Sequence, residues 1–251
     1  RNRDGIFVST KVGLTEADRG DIAGAVRTSL EASLSRIKQD HVDIFQLHNT
    51  LETPSDRRGN ITADQVLSEV VPAFEKLRDE GKTRFLGFTA KGDTSALHKL
   101  VESGRFDSAQ IFYNMLVPSA GEAVPAGYPA QDYRQLLTAA EQNGVGSIGV
   151  RGLAGGALSG SEARHPLGLP NVAPIGSGDD YAADVKRAQQ FQPIVAAGHA
   201  ESLPELAVRY VVSNPSLSTV EIGIATLEEL QQAASAVNKG PLSKEVLAGV
   251  R

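Results

Sequence analysis

Short apolar runs alternate along this chain with longer stretches whose apolar residues recur every three or four positions. The first run, Ile6-Phe7-Val8-Ser9-Thr10, predicts a buried strand over 6–10 that leads straight into Lys11. Ile22, Val26, Leu30, Leu34 and Ile37 then carry the helical period through 21–38. Residues 42–47 predict a second strand, ending at His48, and a polar loop covers 50–62. A helical pattern over 63–80 contains Pro72, which must kink or split it. Further strands are expected at 85–89, 109–112, 147–150 and 219–223. Helices are expected at 94–103, 130–142, 181–197, 203–213, 227–238 and 243–250. The Gly- and Pro-rich segment 151–180 keeps no periodicity, and a loop of that length inside a compact domain is usually functional.

Alternating strand and helix units imply parallel strands joined by right-handed crossovers. Two architectures fit. An open doubly wound sheet accommodates the six predicted strands as they stand. A closed (β/α)8 TIM barrel takes eight, and the chain opens with Arg1, one short step before a strand. On that second reading the chain holds strands three to eight of a single domain over 1–251, with the first two β/α units missing.

Composition narrows the function. Apolar residues make up 41% and charged residues 22%, an ordinary globular balance. Net charge is −5, and Arg57-Arg58 is the only tight basic cluster, so the cationic surface that nucleic acid requires is lacking. No apolar stretch approaches the length of a membrane span, and the polar start does not read as a signal peptide. Cysteine is absent, which fits a reducing, cytoplasmic setting. The histidines at 41, 48, 98, 165 and 199 show no metal-ligand spacing, so no metal site is expected. Without a secretory signal, the Asn60-Ile61-Thr62 triplet is read as chance.

The candidate chemistry sits where strands end. Lys11 and His48 close successive apolar strands, and adjacent parallel strands lie about 4.8 Å apart, so both side chains can reach one pocket. Each alone has a plain reading, as an exposed strand-end lysine or a satisfied rim histidine. Gln110 interrupts an apolar strand, and a buried amide needs partners, supplied by a ligand or by backbone groups. Thr89 ends the preceding strand with a hydroxyl available for the same contact. After the fifth strand, Arg151, Gly152 and Leu153 open a glycine-rich loop suited to a phosphate guest, or simply a flexible loop with a solvated arginine. Gly223, Ala225 and Thr226 lead into a helix whose Thr226 and Glu229 spell a capping box, and that helix start is itself anion-friendly. Gly144-Val145-Gly146-Ser147-Ile148-Gly149 matches a dinucleotide fingerprint in letters only, because the strand runs through the glycines instead of preceding them.

Taken in order, IFVSTKVG (6–13), SLEASLSRI (29–37), VDIFQLH (42–48), 85–89, AQIFYN (109–114), GVRGLAGGALSG (149–160) and 219–232 resemble an aldo-keto reductase over nearly the whole chain. The resemblance implies the (β/α)8 barrel, entered at its third strand. It further implies a reductase moving hydride between a nicotinamide cofactor and a carbonyl carbon, on an aldehyde or ketone, or on a sugar or alcohol in reverse. The family works with an Asp, a Tyr, a Lys and a His. Lys11 and His48 match the last two, and none of Tyr113, Tyr128, Tyr133, Tyr181 and Tyr210 matches the acid. Gln110 and Thr89 match the contact to the nicotinamide carboxamide, although Ala90 stands where the family usually has Asn. Arg151, Gly152 and Leu153 align with the pyrophosphate stretch, so 151–180 is expected to be a cofactor and substrate loop. NADP is the family default. No Lys or Arg occurs between Ser216 and Asn238, and Glu229 stands near where a 2′-phosphate would need a cation, so NAD is the alternative. Two other functional classes remain open: a non-catalytic nicotinamide-binding regulatory or structural subunit, and an unrelated barrel enzyme acting on a phosphorylated metabolite.

Overall fold

The structure, a computed structural model, describes residues 5–52, 61–173 and 180–250. Arg57-Arg58, Asn60 and residues 174–179 of the long loop lie outside the described residues. The chain forms two compact units, one of Arg1–Ile111 with Ala139–Ser147 and one of Phe112–Thr138 with Ile148–Arg251.

The first unit is built on strands β1 (Ser9–Val12), β2 (Val42–Leu47), β3 (Thr83–Thr89) and β4 (Ser108–Phe112), each pairing in parallel with the next. The connections are helices: α1 (Ile22–Ile37), α2 (Val71–Asp79) and α3 (Thr94–Glu102). Asp21 starts α1 by accepting from the Gly24 N–H, and Asp93 starts α3 by accepting from Ala96. Side chains alternate across a strand, so each strand offers one face to the helices and one away from them. Phe45 and Leu47, Leu86 and Phe88, and Ala109 and Ile111 are almost fully buried on alternate positions, with Phe45 against Phe74 of α2 at 4.7 Å between ring centroids. Val26 and Leu30 of α1 and Leu97 and Leu100 of α3 are also fully buried. On the opposite face Ile44 and Phe85 are apolar, and Ser9, Lys11, Gln46, Gly87, Thr89, Ser108 and Gln110 are polar or glycine.

The second unit contains the end of β5 (Gly146–Val150), from Ile148 on, and β6 (Thr219–Val220), paired in parallel, with α5 (Tyr181–Gln189), α6 (Gln192–Ala196), α7 (Leu203–Val212), α8 (Leu227–Asn238) and α9 (Lys244–Val250). A further helix, α4 (Leu136–Gln142), precedes β5. Among the described residues no helix is long and apolar enough to cross a membrane.

Several expectations are corrected. The first strand is Ser9–Val12, not 6–10, and Ile6 and Phe7 are 59% and 70% exposed. Lys11 therefore sits inside the strand, one residue before its end. The shift follows from pairing: Asp43 accepts from the Val8 N–H through its side chain and donates its own N–H to Val8 O, so Val8 is held at the strand entrance. The 63–80 span is divided as Pro72 led one to expect: a short turn, Ala63–Gln65, and a second turn precede α2, which takes Pro72 in its first turn. The turn before it, Val66–Val70, is wound as a π-helix that absorbs the missing donor. The helix expected over 130–142 begins only at Leu136, because Arg134 and Gln135 take left-handed φ values of 48° and 57°. The 181–197 helix is two helices, and the sixth strand is two residues long instead of five. Part of the 50–62 loop is ordered as a parallel pair, Leu51–Glu52 with Ile61–Thr62.

Phe74 is the ring on which β2 rests, so Phe74→Ala should lower unfolding free energy by about 3–5 kcal/mol, read from the urea midpoint of the full chain. A loss below about 1 kcal/mol would mean that the site relaxes and that this contact does not anchor the sheet.

Candidate functional site

The parallel register lines up the polar face in rows. Lys11 pairs with Gln46, Gln46 with Gly87, and Gly87 with Ser108; two residues further along, Thr89 pairs with Gln110. His48 follows Leu47, whose partner is Phe88, so it stands opposite Thr89. Four of the predicted site residues, Lys11, His48, Thr89 and Gln110, thus share one face near the C-terminal ends of four neighbouring strands. Gly87 is required there: a Cβ would lie 2.5 Å from Ser108 Oγ and 2.9 Å from Gln46 Cγ. Gln46 is fully buried and donates to Ser9 Oγ at 2.7 Å.

The second row forms a hydrogen-bonded chain. His48 Nδ1 contacts Thr89 Oγ1 at 2.8 Å, and the Thr89 hydroxyl donates to Gln110 Oε1 at 3.1 Å. Thr89 and Gln110 are buried, at 3% and 2% exposure, whereas the His48 ring and Lys11 are exposed. Asn49, the residue after His48, clamps the backbone of Leu14: Oδ1 accepts from its N–H and Nδ2 donates to its carbonyl, both at 2.8 Å. This clamp ties the segment leaving β1 to the segment leaving β2, and with them Lys11 to His48. Burial lowers the His48 pKa below its ordinary 6.5, and the nearby charges of Lys11 and Lys91 lower it further. Sequence reasoning missed Asn49 and Lys91. Both are polar residues just past a strand end, and only the pattern already used for His48 and Thr89 pointed to them.

The other predicted residues lie in the second unit. Arg151 follows β5 with a left-handed φ of 62°, and Ala154 follows at 49°; a non-glycine residue there costs roughly 1–2 kcal/mol. The strain is held by Asn114, whose Nδ2 donates to Arg151 O at 3.0 Å while its Oδ1 accepts from Leu116 and Val117. Asn114 is fully buried, and it too was missed as a site residue. Gly152 and Leu153 continue the same turn. Gly223 and Ala225 follow β6, the strand paired with β5, so the two segments leave adjacent strands in the same direction. At the start of α8 the Thr226 hydroxyl accepts from the Glu229 N–H at 3.1 Å. The Glu229 carboxylate reaches one residue beyond a capping box, to the Ala225 N–H at 2.5 Å. Three of the five tyrosines hold their protons more tightly than a free phenol. Burial pushes the Tyr128 phenol up to about 12 and raises those of Tyr133 and Tyr210 as well, and Tyr113 is buried in a stack on Tyr210.

The parallel α/β frame agrees with what comparison with known proteins finds. The profile of the Aldo/keto reductase family matches residues 1–251, and the chain belongs to that family. It is 27% identical over 239 residues to the L-galactose dehydrogenase of Arabidopsis thaliana, a match covering 94% of this chain and 65% of that protein. It is 21% identical over 252 residues to the NADH-specific methylglyoxal reductase of Escherichia coli, covering 94% of this chain and 71% of that one. The chain thus spans about two thirds of the length of these curated relatives. Among solved structures, the holo form of aldo-keto reductase AKR11C1 from Bacillus halodurans superposes with a TM-score of 0.67 at 20% identity, covering 99% of this chain and 72% of that one.

The lowered His48 pKa has a definite sign in stability. The unfolded ring takes up its proton near 6.5, the folded ring only at lower pH. The unfolded state therefore binds more protons between those values, and His48 makes the fold less stable as pH falls through that window. An NMR titration of His48 should give a midpoint below 6.5. Lys11→Met should raise it, but not restore it fully, because burial is the larger cause. A midpoint unchanged by Lys11→Met would separate the two residues.

Proposed function

We propose that this chain supplies the lysine, the histidine and the cofactor contacts of a nicotinamide-dependent oxidoreductase that interconverts an alcohol or sugar hydroxyl with an aldehyde or ketone. The observation that carries the reading is the shared polar face: Lys11, His48, Thr89 and Gln110 stand on adjacent strands, in register, at the ends where parallel α/β folds place their chemistry. Family membership supports it, as do two oxidoreductase relatives named for a sugar and for a dicarbonyl.

The residues have distinct tasks in this proposal. A free phenol has a pKa near 10 and exchanges protons poorly at neutral pH; an ammonium close by favours the phenolate and brings the pKa down. Lys11 would do this for the family's tyrosine. Burial holds Tyr128, Tyr133 and Tyr210 above their ordinary range, which leaves them unsuited to the part, and neither Tyr113 nor Tyr181 matches the family's acid. The proposal therefore takes the tyrosine and its partner aspartate from outside this chain, which in a whole (β/α)8 barrel would stand as strands three to eight. His48, with its exposed ring edge, would orient the substrate oxygen.

Each unit carries residues whose chemistry fits part of a nicotinamide dinucleotide. Thr89 and Gln110 place a buried hydroxyl and amide where a carboxamide would be read. Arg151, Gly152 and Leu153 offer a cation and turn-held backbone to a pyrophosphate, and Gly223, Ala225, Thr226 and Glu229 would meet the adenosine end. When bound, the cofactor supplies or accepts the hydride. Of the two candidates, NAD is favoured over NADP. The Ala225 N–H is already taken by the Glu229 carboxylate, and a 2′-phosphate set beside it would meet like charge. The same carboxylate suits ribose hydroxyls, which donate.

In the whole protein, Lys11→Met should reduce kcat by ~10²–10⁴-fold with NADH affinity nearly unchanged, and NADH should bind at least about tenfold tighter than NADPH, a gap of ~1.4 kcal/mol. Full turnover in Lys11→Met would overturn the catalytic assignment, and tighter NADPH binding would overturn the cofactor preference.

A further inference from the structure

Two residues past the end of β3 stands Lys91, to which the reaction above gives no task. Its backbone is fixed on both sides. The Lys91 N–H donates to Thr89 O and its carbonyl accepts from the Leu51 N–H, both at 2.8 Å, and the Asp93 N–H returns to Leu51 O at 2.9 Å. Gly92 lies so close to Leu51 that a Cβ there would collide with the Leu51 carbonyl. Leu51 comes three residues after His48, so this clamp holds Lys91 beside the segment leaving His48. The Lys91 side chain is half-buried and pairs with no carboxylate among the described residues. Lys82, Lys99 and Lys239 each do, in a chain whose net charge is −5. Asp93 is spent on the start of α3, where it accepts from the Ala96 N–H. The charge of Lys91 is felt at the His48 ring, as is that of Lys11. A cation that has lost part of its water is stabilised by an anionic partner, and here the protein supplies none from the described residues.

We propose that Lys91 is a specificity residue that selects substrates carrying a carboxylate near the reacting carbon, so that the site interconverts a hydroxy acid and an oxo acid in preference to the neutral alcohol and carbonyl of the same size. This rests on the oxidoreductase reading for the reacting carbon, though not for the anion. In that reading His48 orients the substrate oxygen, and Lys91 stands at the neighbouring strand end, so an anion held by Lys91 lies next to the group that His48 orients. Lys11 is not available for this task, because its ammonium serves the tyrosine. The reaction itself is unchanged: the hydroxyl-bearing carbon loses a hydride to NAD, its oxygen loses a proton, and the carboxylate stays as it was. A lysine is a point charge without the planar fork of an arginine, so charge and not shape decides between anions. One ammonium balances the single charge of a carboxylate. A phosphate monoester carries nearly two at neutral pH, and the Asp93 carboxylate two residues on would oppose the surplus.

Pyruvate and hydroxyacetone are close in size and differ in a carboxylate against a hydroxymethyl group. Each is titrated into the folded full chain without cofactor and followed by the His48 ring resonances. Pyruvate should half-saturate at a concentration about tenfold below that of hydroxyacetone, and added salt should shrink the difference. Lys91→Arg should keep the preference and Lys91→Met should remove it. Lys91 is fixed through its backbone, so both variants leave the clamp in place. Pyruvate binding no tighter than hydroxyacetone overturns the proposal, and so does a preference that survives Lys91→Met. Dihydroxyacetone phosphate binding more tightly than pyruvate overturns the choice of a carboxylate. In the whole protein, Lys91→Met should raise KM for lactate about tenfold with kcat nearly unchanged, and leave propane-1,2-diol unaffected. An equal loss on both substrates marks a structural role and overturns the assignment. Failure of the oxidoreductase reading would appear instead as absent NADH binding and turnover, with the pyruvate preference intact.

Discussion

Parallel pairing in strict register is the constraint on which the rest of the first unit depends. Because side chains alternate along a strand, one register fixes both faces at once. Phe45, Leu47, Leu86, Phe88, Ala109 and Ile111 go together to one face, and Lys11, Gln46, Gly87, Thr89, Ser108 and Gln110 go together to the other. A slip of one residue at β2 would bury His48 among the helices and turn Phe45 outward. The hydrophobic contacts that stabilise the sheet are thus also what bring a histidine, a threonine and a glutamine into hydrogen-bonding line.

Within that frame, small polar residues do the fine placement. Asn49 grips the Leu14 backbone with both ends of its amide and joins the exits of β1 and β2. Gly87 leaves the space that lets Gln46 and Ser108 stand on either side of it. In the second unit Asn114 plays a similar part, holding the carbonyl of Arg151 while that residue adopts a left-handed backbone. Strain of this kind persists only where neighbours hold it, and such places cluster at functional sites.

Much of this was legible in the sequence. The spans of α1 and β2 came directly from the pattern of apolar positions, and that of α8 from its periodicity and the Thr226 cap, where local chemistry and tertiary packing agree. Lys11, His48, Thr89 and Gln110 stood out as polar interruptions of apolar runs. The rest depended on information that a run of letters does not hold. Ile6 and Phe7 are apolar yet exposed, because pairing to Asp43 and Ile44 fixes the strand start further along. Arg134 and Gln135 have ordinary helical preferences, and the backbone there is left-handed regardless. Asn49, Lys91 and Asn114 look like common loop residues until their partners are known. The hydrogen bonding of the His48–Thr89–Gln110 chain is a matter of which atom faces which, beyond the reach of spacing arguments.

The central claim is that this polar face binds a nicotinamide cofactor through the buried end of the Thr89–Gln110 pair. Fluorescence titration of NADH into the folded full chain and into Gln110→Leu tests it most directly. The account predicts a loss of about 1–3 kcal/mol on substitution, roughly a tenfold or greater rise in Kd. An unchanged Kd in a folded Gln110→Leu protein would contradict it.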